Sequence, residues 1–191
     1  MKRIVYMFSM LLCMSTVLMG GEAANQNDGG MYGFESILLG TTFDKVDAYM
    51  QAKFADNEIL TKTDSIKKKR FIMMENYALS GNAAFKIDVI LSFDRNDAFF
   101  MCDMEGPDRR SDPKLLLTDE TYFLDMLKRN YGGNYKKETM GGRSYYRWSL
   151  GTGQIILTTI HGKEFQFVKV SIADLALSNK QDEYEKSGRK E

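Results

Sequence analysis

Residues 83–93 read AAFKIDVILSF, and this stretch decides the fold class. Large apolar side chains occupy every second position, and Lys86, Asp88 and Ser92 lie between them. The apolar positions are Phe85, Ile87, Val89, Leu91 and Phe93. A period of two is typical of a β-strand with one buried face. Short turn-rich connections surround the stretch, which favours antiparallel pairing in a sheet that buries one face.

The same plan appears twice along the chain. Residues 33–105 form a first unit, with a helix over residues 41–54 and then several strand-like runs. Residues 118–177 form a second unit of the same kind, and a linker at residues 106–117 holds both prolines of the protein. The sequence therefore predicts an α+β protein of two tandem units, each a helix packed on an antiparallel sheet of about four strands.

Each predicted helix has a start signal and one apolar face. Thr41 is the expected N-cap of the first helix and Thr118 that of the second. In the first helix the apolar side chains are Phe43, Val46, Met50 and Phe54. In the second they are Phe123, Leu124, Leu127 and Tyr131, before a stop at Gly132-Gly133. The charged tail, residues 178–191, lacks apolar spacing, and we expect it to be frayed or disordered.

The N-terminus has the pattern of an export signal. Lys2 and Arg3 precede an uncharged apolar run over residues 4–19, and small residues follow it. Residues 1–24 are therefore predicted to be a signal peptide, cleaved after Ala23 or Ala24, with a flexible leader at residues 25–32. The mature chain would be periplasmic or extracellular, without a transmembrane helix. Lipidation of Cys13 is the alternative, although the lipobox lacks its small residue before the Cys.

Composition excludes several classes of function. The chain has 26 basic and 26 acidic residues, and removal of residues 1–24 leaves 24 against 25. No strong positive field favours nucleic acid as a partner. One His and two Cys are too few for a Cys/His zinc site, so no metal and no cofactor is predicted. Cleavage would leave Cys102 as the only thiol, in an apolar run where a buried small hydrophobe is expected.

The strongest candidate binding surface follows a Gly141-Gly142 hairpin turn. In a strand over residues 143–150, Tyr146 and Trp148 would face the core, while Arg143, Tyr145 and Arg147 would share the other face. Aromatic side chains and arginine are enriched at binding hot spots. Arg143, Tyr145 and Arg147 are thus the predicted binding residues, with ordinary cross-strand pairing on a wet face as the alternative.

Two further features of the sequence bear on function. A Cys102–His161–acid arrangement would suit a cysteine hydrolase, but Cys102 has strand spacing and no helix start to lower its pKa. The basic run at residues 67–70, KKKR, could bind an anion, although a solvated hairpin turn explains it as well. No catalytic residue is therefore predicted.

Residues 37–46, ILLGTTFDKV, resemble the helix entry of small exported bacterial domains. Examples are the SmpA/OmlA outer-membrane assembly lipoproteins and the secreted β-lactamase-inhibitor proteins, and the latter are similar in overall plan. The chain departs from both, because it lacks the lipobox of one and the cysteine pairs of the other. The resemblance implies export, a helix-plus-sheet fold and action by binding rather than catalysis.

The sequence thus predicts an exported, non-enzymatic binding or interaction protein that uses its open sheet faces. Its partner would be an unidentified protein or glycan of the cell envelope. A hydrolase of envelope or glycan substrates is one alternative, since paired carboxylates cannot be recognised from acids scattered along one sequence. An envelope assembly or structural factor is the other.

Overall fold

A computed structural model describes residues 31–79 and 85–187. The predicted signal peptide, most of the leader and the end of the charged tail lie outside these residues. The three helices are α1 (Phe43–Lys53), α2 (Pro113–Tyr131) and α3 (Leu175–Ser187). The ten strands are β1 (Tyr32–Phe34), β2 (Ile37–Leu38), β3 (Ile59–Asp64), β4 (Lys69–Ala78), β5 (Lys86–Phe93), β6 (Phe99–Glu105), β7 (Lys136–Met140), β8 (Arg143–Leu150), β9 (Gly153–His161) and β10 (Gln166–Asp174).

Eight of the strands form one antiparallel sheet in the order β3-β4-β5-β6-β10-β9-β8-β7, and β1 pairs with β2 in a separate two-stranded sheet. The α+β class is therefore confirmed. The expectation that each unit has its own four-stranded sheet is wrong, because β6 pairs with β10 and joins the two sets of four strands. Sequence periodicity defines the faces of a strand but not which strand lies beside it, so the sequence could not show this junction.

One face of the sheet carries the core. A row of buried side chains crosses five neighbouring strands, from Leu91 through Cys102, Ile172 and Ile155 to Trp148. The alternation that predicted β5 is confirmed, since all five of its apolar positions are buried. Helices α1 and α2 cover this face, which we call the core face. The opposite side of the sheet is called the outer face below.

Helix α1 was largely predicted. Its buried side chains Phe43, Val46 and Met50 lie on the expected stripe, and the Phe43 ring packs edge-on against Phe93 at 4.9 Å between centroids. The N-cap is Thr42 rather than Thr41, and the side chain of Thr42 makes no capping hydrogen bond. The register of the apolar stripe, rather than the cap, thus fixes this helix on the sheet.

Helix α2 begins at Pro113, five residues before the predicted N-cap Thr118. Proline suits the first turn because its missing N–H has no partner there, and the Asp112 side chain accepts a hydrogen bond from the Lys114 N–H at 3.2 Å. The second proline therefore starts a helix instead of lying in a linker. The helix ends as predicted at Gly132, whose φ is 82°.

Helix α3 corrects the expectation of a frayed tail, because residues 175–187 are helical. It packs on β6 and β10 from the outer face, where its Glu185 pairs with Lys69 and the Lys69 ammonium lies over the Phe100 ring. Asp174 caps its start by accepting from the Ala176 N–H at 2.8 Å. Within the described residues, no helix is both long and apolar enough to cross a bilayer.

Candidate binding surface on the outer face

The β7–β8 hairpin positions the predicted binding residues. Gly141 and Gly142 have φ values of 60° and 73°, a left-handed conformation that glycine adopts without strain, and they close a two-residue turn. The resulting register places Arg143 opposite Met140, Tyr145 opposite Glu138 and Arg147 opposite Lys136. The predicted hairpin is confirmed.

The two faces of β8 are also as predicted. Tyr146 and Trp148 are buried on the core face, at 4% and 1% exposure. Arg143 is exposed, and Tyr145 and Arg147 are half-buried on the outer face. The neighbouring strand β9 contributes Ile156, Thr158 and Ile160 to the same surface, opposite Arg147, Tyr145 and Arg143 in turn. We call the outer-face residues of β7 and β8 the hairpin surface. Its use in binding stays a prediction.

The arginines of the hairpin surface differ from the other arginines of the described residues. Elsewhere each arginine has a carboxylate, a ring or a carbonyl as partner. These are Arg70 with Asp97, Arg95 over Tyr184, Arg109 with Asp119, Arg110 with Asp108, and Arg129 with the Asp125 carbonyl. Arg143 and Arg147 have no such partner within residues 31–79 and 85–187. Their positive charges are thus uncompensated by a direct contact in the described part of the chain.

Arg147 carries a second unusual feature. Its Nε is buried and has no hydrogen-bond acceptor. A buried donor without a partner costs about 1–3 kcal/mol relative to its hydrogen-bonded state. The side chain is held between Lys136 on β7 and Ile156 on β9, so its environment supplies a like charge and an apolar group.

On β10, unlike on β8, the cation of the outer face is paired with carboxylates. Lys169 lies in the row next to Tyr145 and Thr158, and its Nζ contacts both Asp103 and Glu105 at 2.9 Å. Burial opposes the charged form of Lys169, but these two carboxylates outweigh it and raise its pKa. The Ser171 hydroxyl also donates to Asp103 at 2.6 Å. Polar groups in the middle of the outer face are therefore satisfied internally, unlike the arginines of β8.

The basic run at residues 67–70 lies at the turn between β3 and β4 and at the start of β4, which agrees with the alternative that it forms a hairpin turn. Three of its residues contact the protein itself: Lys67 and Lys69 both pair with Glu185. The Arg70 guanidinium stacks on the Phe43 ring at 3.3 Å from the centroid. Arg70 also contacts Asp97 at 3.2 Å. Three of the four side chains of this run are therefore occupied with structural contacts.

The structure separates the members of the proposed cysteine–histidine pair. Cys102 is fully buried, and burial raises the pKa of its thiol well above the usual range. His161 is exposed at the end of β9, six residues from Ile155 in the row of Cys102, which is about 20 Å along the strand. Among the described residues, no group of three or more His, Cys, Asp and Glu side chains could hold a metal ion.

Sequence reasoning missed two buried carboxylates on the core side. Glu35 accepts a hydrogen bond from the Tyr77 hydroxyl at 2.8 Å and another from Lys53 at 3.0 Å, and burial together with the Glu35 charge raises the pKa of Tyr77. Glu120 accepts from the Tyr146 hydroxyl in the same manner. Each carboxylate accepts from a tyrosine that is distant in the sequence, 42 residues for Glu35 and 26 for Glu120, so no local pattern could reveal the pairs.

A cavity of about 330 Å³ lies between α3 and the turn after β5. Charged and polar side chains line it, among them Asp94, Arg95 and Glu183. None of its lining residues belongs to β8, so the cavity and the hairpin surface are separate features. The candidate surface is an exposed face of two paired strands, which suits an extended partner.

Comparison with known proteins adds no relative: no family model matches the chain, and no curated protein and no solved structure matches it. The functional interpretation therefore depends on the residues of this chain alone.

Proposed function

We propose that this chain is an exported, non-enzymatic binding protein that contacts its partner through the hairpin surface. The observation that carries the proposal is that Arg143 and Arg147, on either side of Tyr145 on one face of β8, have no partner among the described residues. Arg143 is exposed and solvated by water, so the unfavourable group is the buried Nε of Arg147, which an acceptor on another molecule would satisfy.

The composition of the surface supports a binding role. Protein interfaces are enriched in arginine, aromatic residues and methionine, and hot spots often contain arginine and tyrosine. Met140, Arg143, Tyr145 and Arg147 belong to these types, and Met140 is 73% exposed. A large exposed apolar side chain beside unpaired cations suits a contact that excludes water when the partner binds.

The cellular setting is part of the same proposal. The export signal over residues 1–24 would deliver the mature chain to the periplasm or the exterior, where an envelope protein or glycan is the available partner. The resemblance of residues 37–46 to exported binding domains is in keeping with this setting.

Capture of the partner tests the proposal. Tagged mature chain is cross-linked in an extract of the native envelope, and the captured molecules are compared with those of the Tyr145→Ala/Arg147→Ala variant. We expect the variant to lose the specific partner, because both anchoring side chains are gone, while its melting temperature changes by only a few degrees. Equal capture by wild type and variant would show that the hairpin surface is not the binding site.

The matched control is Lys62→Ala. Lys62 also lies on the outer face, exposed and without a partner among the described residues, but on β3 at the opposite end of the sheet. The Lys62→Ala substitution removes a positive charge from the same face and leaves the β7–β8 hairpin unchanged. This variant should capture the partner as the wild type does.

A further inference from the structure

Strand β7 is an open edge of the sheet. It is the last strand in the order, all five of its residues are exposed, and no described residue pairs with its far side. An exposed edge presents unpaired N–H and C=O groups that can pair with another extended chain. Such edges are used for recognition by β-strand addition.

The register shows which backbone groups face outward. The His161 N–H donates to the Gly142 carbonyl at 2.9 Å, so Gly142 points its backbone towards β9. Backbone groups alternate in direction along a strand, so Arg143, Tyr145 and Arg147 point theirs towards β7. They pair there with Met140, Glu138 and Lys136. The intervening residues of β7, Lys137 and Thr139, therefore direct their N–H and C=O groups to the open edge.

The side chains of the hairpin surface form three rows that end at this edge. The first row, Lys136 and Arg147, is doubly positive. The second pairs Glu138 with Tyr145, and the third pairs Met140 with Arg143. A strand added to β7 would lie about 4.8 Å from it and would place one outward side chain at the end of each row.

We propose that β7 accepts an extended segment of a partner protein as an added strand, and that this segment carries acidic side chains four residues apart. The two acidic positions are about 13 Å apart, as are the first and third rows. The position between them is not acidic, because Glu138 would repel a like charge there. This inference rests on the proposed function, since it assigns the partner's chemistry at the same surface.

The other open edge of the sheet lacks this charge pattern. On the outer face of β3, Leu60, Lys62 and Asp64 occupy the corresponding positions, so a single cation stands between an apolar and an acidic residue. Asp64 is already used, because its carboxylate accepts from the Ile66 and Lys67 N–H groups. The charge pattern therefore selects β7 rather than β3 for an acidic segment.

The probe is a synthetic nine-residue peptide, acetyl-Thr-Val-Glu-Val-Thr-Val-Glu-Val-Thr-amide, and the control peptide has Gln for both Glu. Calorimetric titration into the intact chain should show the Glu peptide binding at least about fivefold more tightly than the Gln peptide at low salt. The difference should shrink as salt is added. Equal affinities would overturn the charge assignment.

Hydrogen exchange followed by NMR tests the place of binding. Addition of the Glu peptide should slow exchange of the Lys137 and Thr139 amides, which face the open edge, and should leave the amide of Glu138 unchanged because it already pairs with β8. Unchanged exchange at Lys137 and Thr139 in the presence of bound peptide would overturn strand addition.

Two variants separate backbone pairing from charge. Thr139→Pro removes an outward N–H but no hydrogen bond of the β7–β8 ladder, and it should abolish peptide binding. Arg147→Gln should reduce the preference for Glu over Gln, because only Lys136 and Arg143 remain to pair with the two acidic side chains, and Lys62→Gln should not change it. If Thr139→Pro does not fold, a peptide N-methylated at alternate residues tests the same hydrogen bonds with the wild-type chain. Retained binding by either would contradict the proposal.

Other occupants give different results. An acidic oligosaccharide such as oligogalacturonate that binds wild type and Thr139→Pro equally, while the Glu peptide does not bind, would replace the strand by a glycan. Concentration-dependent dimers abolished by Thr139→Pro would replace it by a second copy of the chain. In either case the proposed function is still supported if the Tyr145→Ala/Arg147→Ala variant fails to capture the partner from the envelope extract. The strand-addition proposal and the proposed function can therefore fail separately.

Discussion

Individual buried charges distinguish the core face from the hairpin surface. On the core face, Glu35 and Glu120 are buried, yet each accepts a tyrosine hydroxyl, so their desolvation is offset by hydrogen bonds. Arg109 likewise donates twice to the buried Asp119, at 2.6 and 3.2 Å. Two buried polar atoms of the described residues lack a hydrogen-bond partner, the hydroxyl of Thr159 and the Nε of Arg147, and of these only the Arg147 atom belongs to a charged group.

Cys102 supports a prediction at the same scale. Its thiol is fully buried between Leu91 and Ile172, and burial raises its pKa well above the usual range, so it stays protonated at pH 8. In a Cys13→Ser variant, an aromatic disulfide reagent should modify Cys102 only as fast as the protein unfolds. The measurement is the rate of colour release with and without denaturant, and rapid modification of the native protein would contradict it.

At the scale of residues, the sequence predicted burial correctly where the pattern of a single strand decides whether a side chain is buried or exposed. The apolar run around Cys102 put that residue inside, and alternation along β8 put Tyr145 outside. The pair of Glu35 and Tyr77 is different, because the two residues are 42 positions apart and meet only once the β1–β2 turn packs beside β4. The strand order that brings such residues together is set by the whole fold, so no local pattern announces it.

At the scale of elements, α3 was missed because its sequence has no apolar stripe. Polar contacts hold it instead: Gln181 is 1% exposed, accepts from the Arg95 N–H at 3.0 Å and donates to the Lys67 carbonyl at 2.9 Å. Helix predictions that depend on apolar spacing cannot find such an element. The helix also occupies two members of the basic run at residues 67–70, because Lys67 and Lys69 both pair with its Glu185.

The ion pair of α3 gives a pH prediction. Burial opposes the charged form of Glu185, but hydrogen bonds from Lys69 and Gln181 outweigh it and hold its pKa below the ordinary 4.5. Since the pKa is lower in the folded state, the stabilisation is present above pH 4.5 and is lost as the pH falls through the folded value. Glu185→Gln should therefore cost about 0.5–1 kcal/mol of unfolding free energy at pH 7 and little at pH 3.

Urea denaturation at the two pH values measures this difference. Glu183→Gln is the matched control, because Glu183 is on the same helix and makes no ion pair within the described residues. A cost for Glu185→Gln that persists at pH 3, or an equal cost for Glu183→Gln at pH 7, would show that the ion pair does not stabilise α3.

For the whole molecule, the junction of β6 with β10 makes one core out of two sets of strands. Ile172 is fully buried at this junction, opposite Cys102 on β6 and Ile155 on β9. Ile172→Ala should lower the unfolding free energy by about 2–4 kcal/mol. Because the core cluster is continuous, Trp148 fluorescence and amide exchange in β5 should report the same loss, although they lie on opposite sides of the junction.

Ile66→Ala is the control for this prediction, since Ile66 is 90% exposed at the β3–β4 turn and its truncation should change stability by less than about 0.5 kcal/mol. If Ile172→Ala destabilised the environment of Trp148 and left exchange in β5 unchanged, the two sets of strands would unfold independently in spite of their shared sheet. A common loss at both places would show that the junction transmits stability across all eight strands. The hairpin surface would then be supported by the entire sheet, so its rows of side chains would stay fixed in the absence of a partner.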